Sequence, residues 1–90
     1  MSFMNNEYKK YFKGYMYLNY DIKIDSSKFP DMVKNTIAEL DRLYYETDEW
    51  VLYDAMCDAL LTNAKVALMN GRITEKDFRL LEEKYNLVGG

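Results

Sequence analysis

A chain of 90 residues, 49% hydrophobic and 30% charged with one proline, has the balance of a single folded domain and excludes disorder and a second core. A net charge of −3 excludes the strongly basic balance of a dedicated nucleic-acid binder. One cysteine and no histidine exclude an internal disulfide framework, a Cys-based zinc site and the usual neutral-pH general base.

The charge is uneven. Up to residue 24, Lys9, Lys10, Lys13 and Lys23 outnumber Glu7 and Asp21, whereas the remainder is acidic. The opening MSFMNNEYKKYF lacks an apolar run of signal-peptide length. No stretch reaches the ~20 apolar residues of a membrane span, because Asp54, Asp58 and Lys65 interrupt the best candidate. A cytoplasmic location is expected.

The N-terminal segment carries two conflicting periods. Tyr8, Tyr11, Phe12, Tyr15 and Leu18 recur at helical spacing, with Asn5 or Asn6 as a cap. Met16, Leu18, Tyr20, Ile22 and Ile24 alternate as in a strand, and Gly14 would cost a helix roughly 1 kcal/mol relative to alanine. No other run reads as a second strand, and an unpaired strand is unstable. The expectation is therefore a helix from about Asn6 to Asn19, then an extended connection from Asp21 to Ser27. If Met16–Ile24 is a strand instead, its partner comes from a second protomer.

Ser26 or Ser27 can cap the next element, with Pro30 in its first turn. Phe29, Met32, Val33, Thr36, Ile37, Leu40, Leu43 and Tyr44 follow the i, i+3, i+4 pattern, predicting an amphipathic helix over about Lys28 to Tyr45. A polar break at Glu46, Thr47 and Asp48 leads into the stretch Asp48 to Met69. There the polar side chains Asp54, Asp58, Thr62 and Lys65 form one stripe and nearly everything else is apolar. An apolar face of only ~100° suffices for a surface helix. This helix needs neighbours on several sides, from its own chain or partly from another. It ends at Asn70-Gly71.

Thr74-Glu-Lys-Asp77 reads as a capping box opening a last helix that buries Phe78, Leu81 and Tyr85 and closes at Asn86, with Ile73 as a staple to Phe78. The segment NGRITEKDFRLLEEKY, through Arg72, Ile73 and Thr74, resembles the short terminal helix of small bacterial and phage proteins (SHOCT-like tails). The resemblance implies a bacterial or mobile-element origin and assigns no function.

Little in the chain suggests chemistry. Cys57, mid-helix among Met56, Ala59, Leu60 and Leu61, reads as an inert buried thiol. Asp54 and Asp58, one turn apart, resemble half of a carboxylate metal site or an acid–base pair, but no further ligands stand at a recognisable spacing, so they read as a solvated face. No glycine-rich phosphate loop or nucleophile elbow occurs.

The composite expectation is an all-α fold, a small three- to four-helix bundle around the apolar helix. Residues 1–27 form an aromatic and basic segment and 28–88 a three-helix core. The expected role is a non-catalytic protein-interaction or regulatory module without metal or cofactor, with self-association as one form of it. The expected contact residues are Tyr8, Lys9, Lys10, Tyr11, Lys13, Tyr15, Tyr17 and Tyr20, because tyrosine gives contact area at low entropic cost. The structural alternative is that Tyr8, Phe12 and Tyr15 merely cover the central helix. Interleaved lysines and rings also suit nucleic acid. Glu39, Asp41, Glu46, Asp48, Glu49, Glu75, Asp77, Glu82 and Glu83 suit an acidic inhibitor of a nucleic-acid enzyme, of the kind mobile elements encode.

Overall fold

Gly14 decides how the described chain begins. The computed structural model describes residues 8–87, and there Gly14 has φ +62°. It turns a two-residue loop, Gly14-Tyr15, between strands β1 (Phe12–Lys13) and β2 (Met16–Tyr17). The strands pair antiparallel, Phe12 opposite Tyr17 and Lys13 opposite Met16. Positive φ at the first loop position alone is the type II′ pattern, whose twist matches that of the strands it joins.

This corrects the expected helix from Asn6 to Asn19. Tyr8 and Lys9 are helical, but residues 12–17 form a hairpin; the start at Asn6 lies outside the described residues. The strand partner thought to be missing lies in the same chain, a few residues upstream, and no second protomer is needed. Two-residue strands are too short for alternation to reveal them. The all-α expectation holds in part: the described chain is a small, mostly helical fold with three helices, preceded by a small two-stranded sheet.

After β2 the chain turns at Tyr20-Asp21, where the Ile22 N–H donates to the Asn19 carbonyl at 3.2 Å, and forms a 3-10 turn at Ser26–Lys28, so the extended connection expected over Asp21 to Ser27 is interrupted at both ends. Asp25 rather than Ser26 or Ser27 is the cap, its carboxylate accepting from the Ser27 N–H at 3.1 Å and the Ser27 hydroxyl at 2.6 Å. The first helix, α1, spans Asp31–Glu46 and starts later than Lys28 because Pro30 occupies its N-cap position. It buries Val33, Thr36, Ile37, Leu40, Leu43 and Tyr44; Met32, in the first turn, stays exposed. Thr47 ends it by donating its hydroxyl to the Leu43 carbonyl at 2.7 Å.

The second helix, α2, is Trp50–Met69 and returns antiparallel to α1. The Tyr44 and Tyr53 rings lie 6.2 Å apart at one end, and at the other Asn63 donates to the Thr36 hydroxyl at 3.3 Å. Gly71, with φ +71°, reverses the chain into α3, Glu75–Tyr85. The capping box at Thr74 and Asp77 is formed at both bonds, and Asn86 in the left-handed conformation ends the helix.

The core draws on β2, the three helices and the connections: Met16, Leu18 just after β2, Phe29, the inner face of α1, then Tyr53, Leu60, Ala64, Ile73, Leu81 and Tyr85. Every buried side-chain nitrogen and oxygen among the described residues has a hydrogen-bond partner. No described helix is long and apolar enough to cross a membrane.

Of the two expected sources of cover for α2, its own chain buries one face among the described residues. Only Tyr53, Leu60, Ala64 and Ala67 are fully buried on it, and these mark one face. Trp50, Val51, Leu52, Val66 and Met69 are exposed, Val51 at 64% and Met69 at 83%. Both α1 and α3 contact α2, and among the described residues nothing covers these exposed apolar side chains.

Candidate functional site

The eight expected contact residues divide sharply. Tyr17 is buried, stacked on Tyr8 with centroids 4.8 Å apart and met edge-on by Phe12 at 5.1 Å and Tyr11 at 5.9 Å. Tyr11 donates its hydroxyl to Asp21 at 2.5 Å, and its carbonyl accepts from the Tyr44 hydroxyl at 2.7 Å. Tyr20 meets the Tyr11 ring edge-on at 5.1 Å and donates to the Lys10 carbonyl at 3.4 Å. These rings largely hold the hairpin together and seat it on α1.

The lysines are similarly engaged. Lys10 lies 3.4 Å from the Asp21 carboxylate and 5.0 Å from the Tyr11 centroid. Hydrogen bonding to Tyr11 first, and between Lys10 and Asp21 next, lowers the Asp21 carboxyl and raises the Lys10 ammonium. Lys13 donates to the carbonyls of Tyr44 at 3.0 Å and Thr47 at 3.2 Å, placing a cation where the α1 dipole is negative. Lys9 is exposed.

Tyr15 differs from the rest. It projects from the hairpin loop, 78% exposed, tilted against Trp50 at 4.9 Å. Between the hairpin and α2 it borders a cleft of about 120 Å³. Phe12, Tyr15 and Tyr17 line the hairpin side, Asp54, Asp58 and Leu61 the α2 side, with Tyr53, Cys57 and Tyr85 among the remaining lining residues. Sequence reasoning separates these groups into different proposals. The signal it lacks is the turn at Gly14, which folds the rings over the very helix that carries the two carboxylates.

The one thiol in the cleft is held protonated. Burial, followed by the carboxylates of Asp54 and Asp58, pushes the Cys57 thiol up to about 12. A thiol at that value is a poor nucleophile near neutrality. No group of three or more Cys, Asp or Glu able to hold a metal occurs among the described residues.

Two other features stand apart. Asp41 accepts from the Tyr85 hydroxyl at 2.8 Å in a cavity of about 100 Å³ that Lys84 also lines. Burial raises the Asp41 carboxyl and lowers the Lys84 ammonium, whose Nζ donates to the Ile22 carbonyl at 2.6 Å. A shallow groove of about 80 Å³ runs between the start of α1 and the end of α2, lined by Met32, Val33, Val66 and Ala67.

Three of the acidic residues are already engaged within the chain. Asp77 is buried; burial pushes its carboxyl up, but the bonds from Thr74 and Lys28 outweigh this and hold it low. Glu39 pairs with Arg42 at 2.7 Å and Glu75 with Arg79 at 3.3 Å. No protein-family model matches the chain, and no curated protein or solved structure matches it either.

Proposed function

We propose that this chain is a non-catalytic protein-interaction or regulatory module, a single cytoplasmic domain that works through the outward side of α2. The observation that supports this is the exposure of Val51, Leu52, Val66 and Met69 along a helix whose other face builds the core. Burying an aliphatic side chain is worth roughly 1.5–3 kcal/mol when complete. Several such side chains, with Met32 beside Val66 in the groove, offer a partner more than isolated surface apolar residues do. The partner is another protein or a second copy of the chain.

Nucleic-acid binding by the N-terminal segment has less support, since Lys10 and Lys13 are held by Asp21 and by the end of α1. An acidic mimic has less support because Asp41 and Asp77 bond inward and Glu39 and Glu75 pair with arginines.

Photo-crosslinking in the native host tests the reading. A benzophenone amino acid placed at Leu52 or Val66 should give a discrete adduct, and one at Arg79 on the exposed side of α3 should not. Equal labelling from the three positions, or none, overturns it. Light scattering at micromolar concentration then separates self-association from a different partner.

A further inference from the structure

We propose that the cleft between the hairpin and α2 receives an arginine side chain from a partner polypeptide. The inference deepens the interaction reading and rests on it, because the cleft borders the exposed side of α2.

The argument begins with charge. Asp54 and Asp58 stand one turn apart on the α2 wall, and neither has a hydrogen-bond or salt-bridge partner among the described residues. Among the described residues no lysine or arginine lines the cleft to balance the two carboxylates. The effect reaches the neighbouring thiol of Cys57, which both carboxylates help to keep protonated. An anion such as a phosphate is repelled by this wall.

The opposite wall selects among cations. Phe12 and Tyr15, both exposed, line the hairpin side, and a ring face attracts a cation through its quadrupole. An ammonium is a compact, strongly hydrated charge that loses more than it gains by leaving water for such a site. A guanidinium is planar and weakly hydrated; it stacks on rings while its N–H groups fork onto carboxylates. A quaternary ammonium would use the rings but has no N–H to give Asp54 or Asp58. A divalent metal would find two carboxylates, and no group of three Cys, Asp or Glu able to hold it occurs among the described residues.

Size points the same way. The cleft, at about 120 Å³, is well below the ~300–1,000 Å³ typical of small-molecule pockets. It suits the head group of one side chain. Tyr15 and Trp50, both exposed and 4.9 Å apart, form an aromatic rim on which flanking residues of the partner can rest.

The test is an NMR titration of the full chain with an end-blocked Gly-Gly-Arg-Gly-Gly peptide. Its lysine and citrulline counterparts serve as comparisons, citrulline being nearly isosteric with arginine but uncharged. Resonances of Phe12, Tyr15 and Leu61 should move and saturate in the arginine titration. Citrulline should bind at least about tenfold more weakly and lysine several-fold more weakly. The double variant Asp54→Asn/Asp58→Asn, made at exposed positions, should lose the arginine preference while keeping its dispersed spectrum. If that variant unfolds, Tyr15→Ala, at the exposed loop, should weaken arginine binding instead. Equal binding of citrulline or lysine, shifts centred away from the cleft, or no shift overturns the proposal. Crosslinking from Leu52 and Val66 does not depend on the cleft, so adducts there with no arginine response would sink this inference and leave the interaction reading standing.

Discussion

The hydroxyl of Tyr53, in the first turn of α2, donates to the main-chain carbonyl of Tyr17 at the end of β2. Both residues are buried, and the bond joins the hairpin to the helix across 36 positions of sequence. Removing the hydroxyl leaves a carbonyl shut away from water without that donor, which costs the desolvation of the group as well as the bond. Tyr53→Phe should lose about 1–3 kcal/mol of stability, read as a lower urea midpoint. The loss should show first in the hairpin resonances. An unchanged midpoint would mean that the hairpin is not anchored through this bond.

Gly14 supplies a prediction whose sign separates two architectures. Alanine at an interior helix position would stabilise the chain by roughly 1 kcal/mol. At φ +62° the same change is strained, although an added Cβ would meet nothing within 4 Å. Gly14→Ala should therefore destabilise by about 1 kcal/mol, through backbone conformation and not through a clash. Gly14→Asn should cost less, because asparagine tolerates the left-handed region. A stabilising alanine in a urea titration would restore the helix and discard the hairpin.

The contrast between those outcomes shows what the sequence carries. The periods of α1 and α3 are legible because each presents one apolar stripe to one core, and the Thr74–Asp77 box marks its own boundary. The hairpin is not legible, because the helical set ending at Leu18 overlaps the alternating set starting at Met16 and only the φ of Gly14 chooses between them. For α2 the composition identifies the helix but not its surroundings, since a helix apolar on most sides reads alike whether its own chain or another covers it. The candidate cleft lies deeper still: Asp54 and Asp58 face Phe12 and Tyr15 only once the turn has formed.

Lys13 tests whether the basic segment is structural. Its ammonium bonds the carbonyls of Tyr44 and Thr47, at the C-terminal end of α1. Lys13→Met should cost about 1–2 kcal/mol, from two charge-assisted bonds and a favourable position at the negative end of the helix. Lys9→Met, at an exposed neighbouring position, should stay within about 0.5 kcal/mol of the parent. Thermal or urea unfolding of the two variants checks this. Equal, negligible effects would return Lys13 to the set of side chains free for a partner.

Stability should fall in alkali, and the sign follows from three buried acids. Burial raises the phenols of Tyr53 and Tyr85, and burial with the nearby carboxylates raises the Cys57 thiol from 9.0 to about 12. Above the ordinary thiol value the unfolded chain has lost protons that the folded chain still holds. Fewer protons are then bound in the unfolded state, so stability declines as pH climbs, until the folded groups themselves ionise. Lys84 opposes this, because burial lowers its ammonium and folding then grows more favourable as the unfolded chain loses its extra proton. One opposing lysine does not offset three acids. Cys57 alone should cost about 2 kcal/mol near pH 11. The urea midpoint should be level from pH 7 to 8.5 and fall beyond pH 9, with a shallower fall in Cys57→Ala. The same burial should leave Cys57 slow to react with maleimide at pH 7 in the folded chain and fast in urea. A midpoint level up to pH 11, with a thiol that reacts at once in the native state, would place Cys57 in solvent and dissolve the packing of α2 against Tyr85.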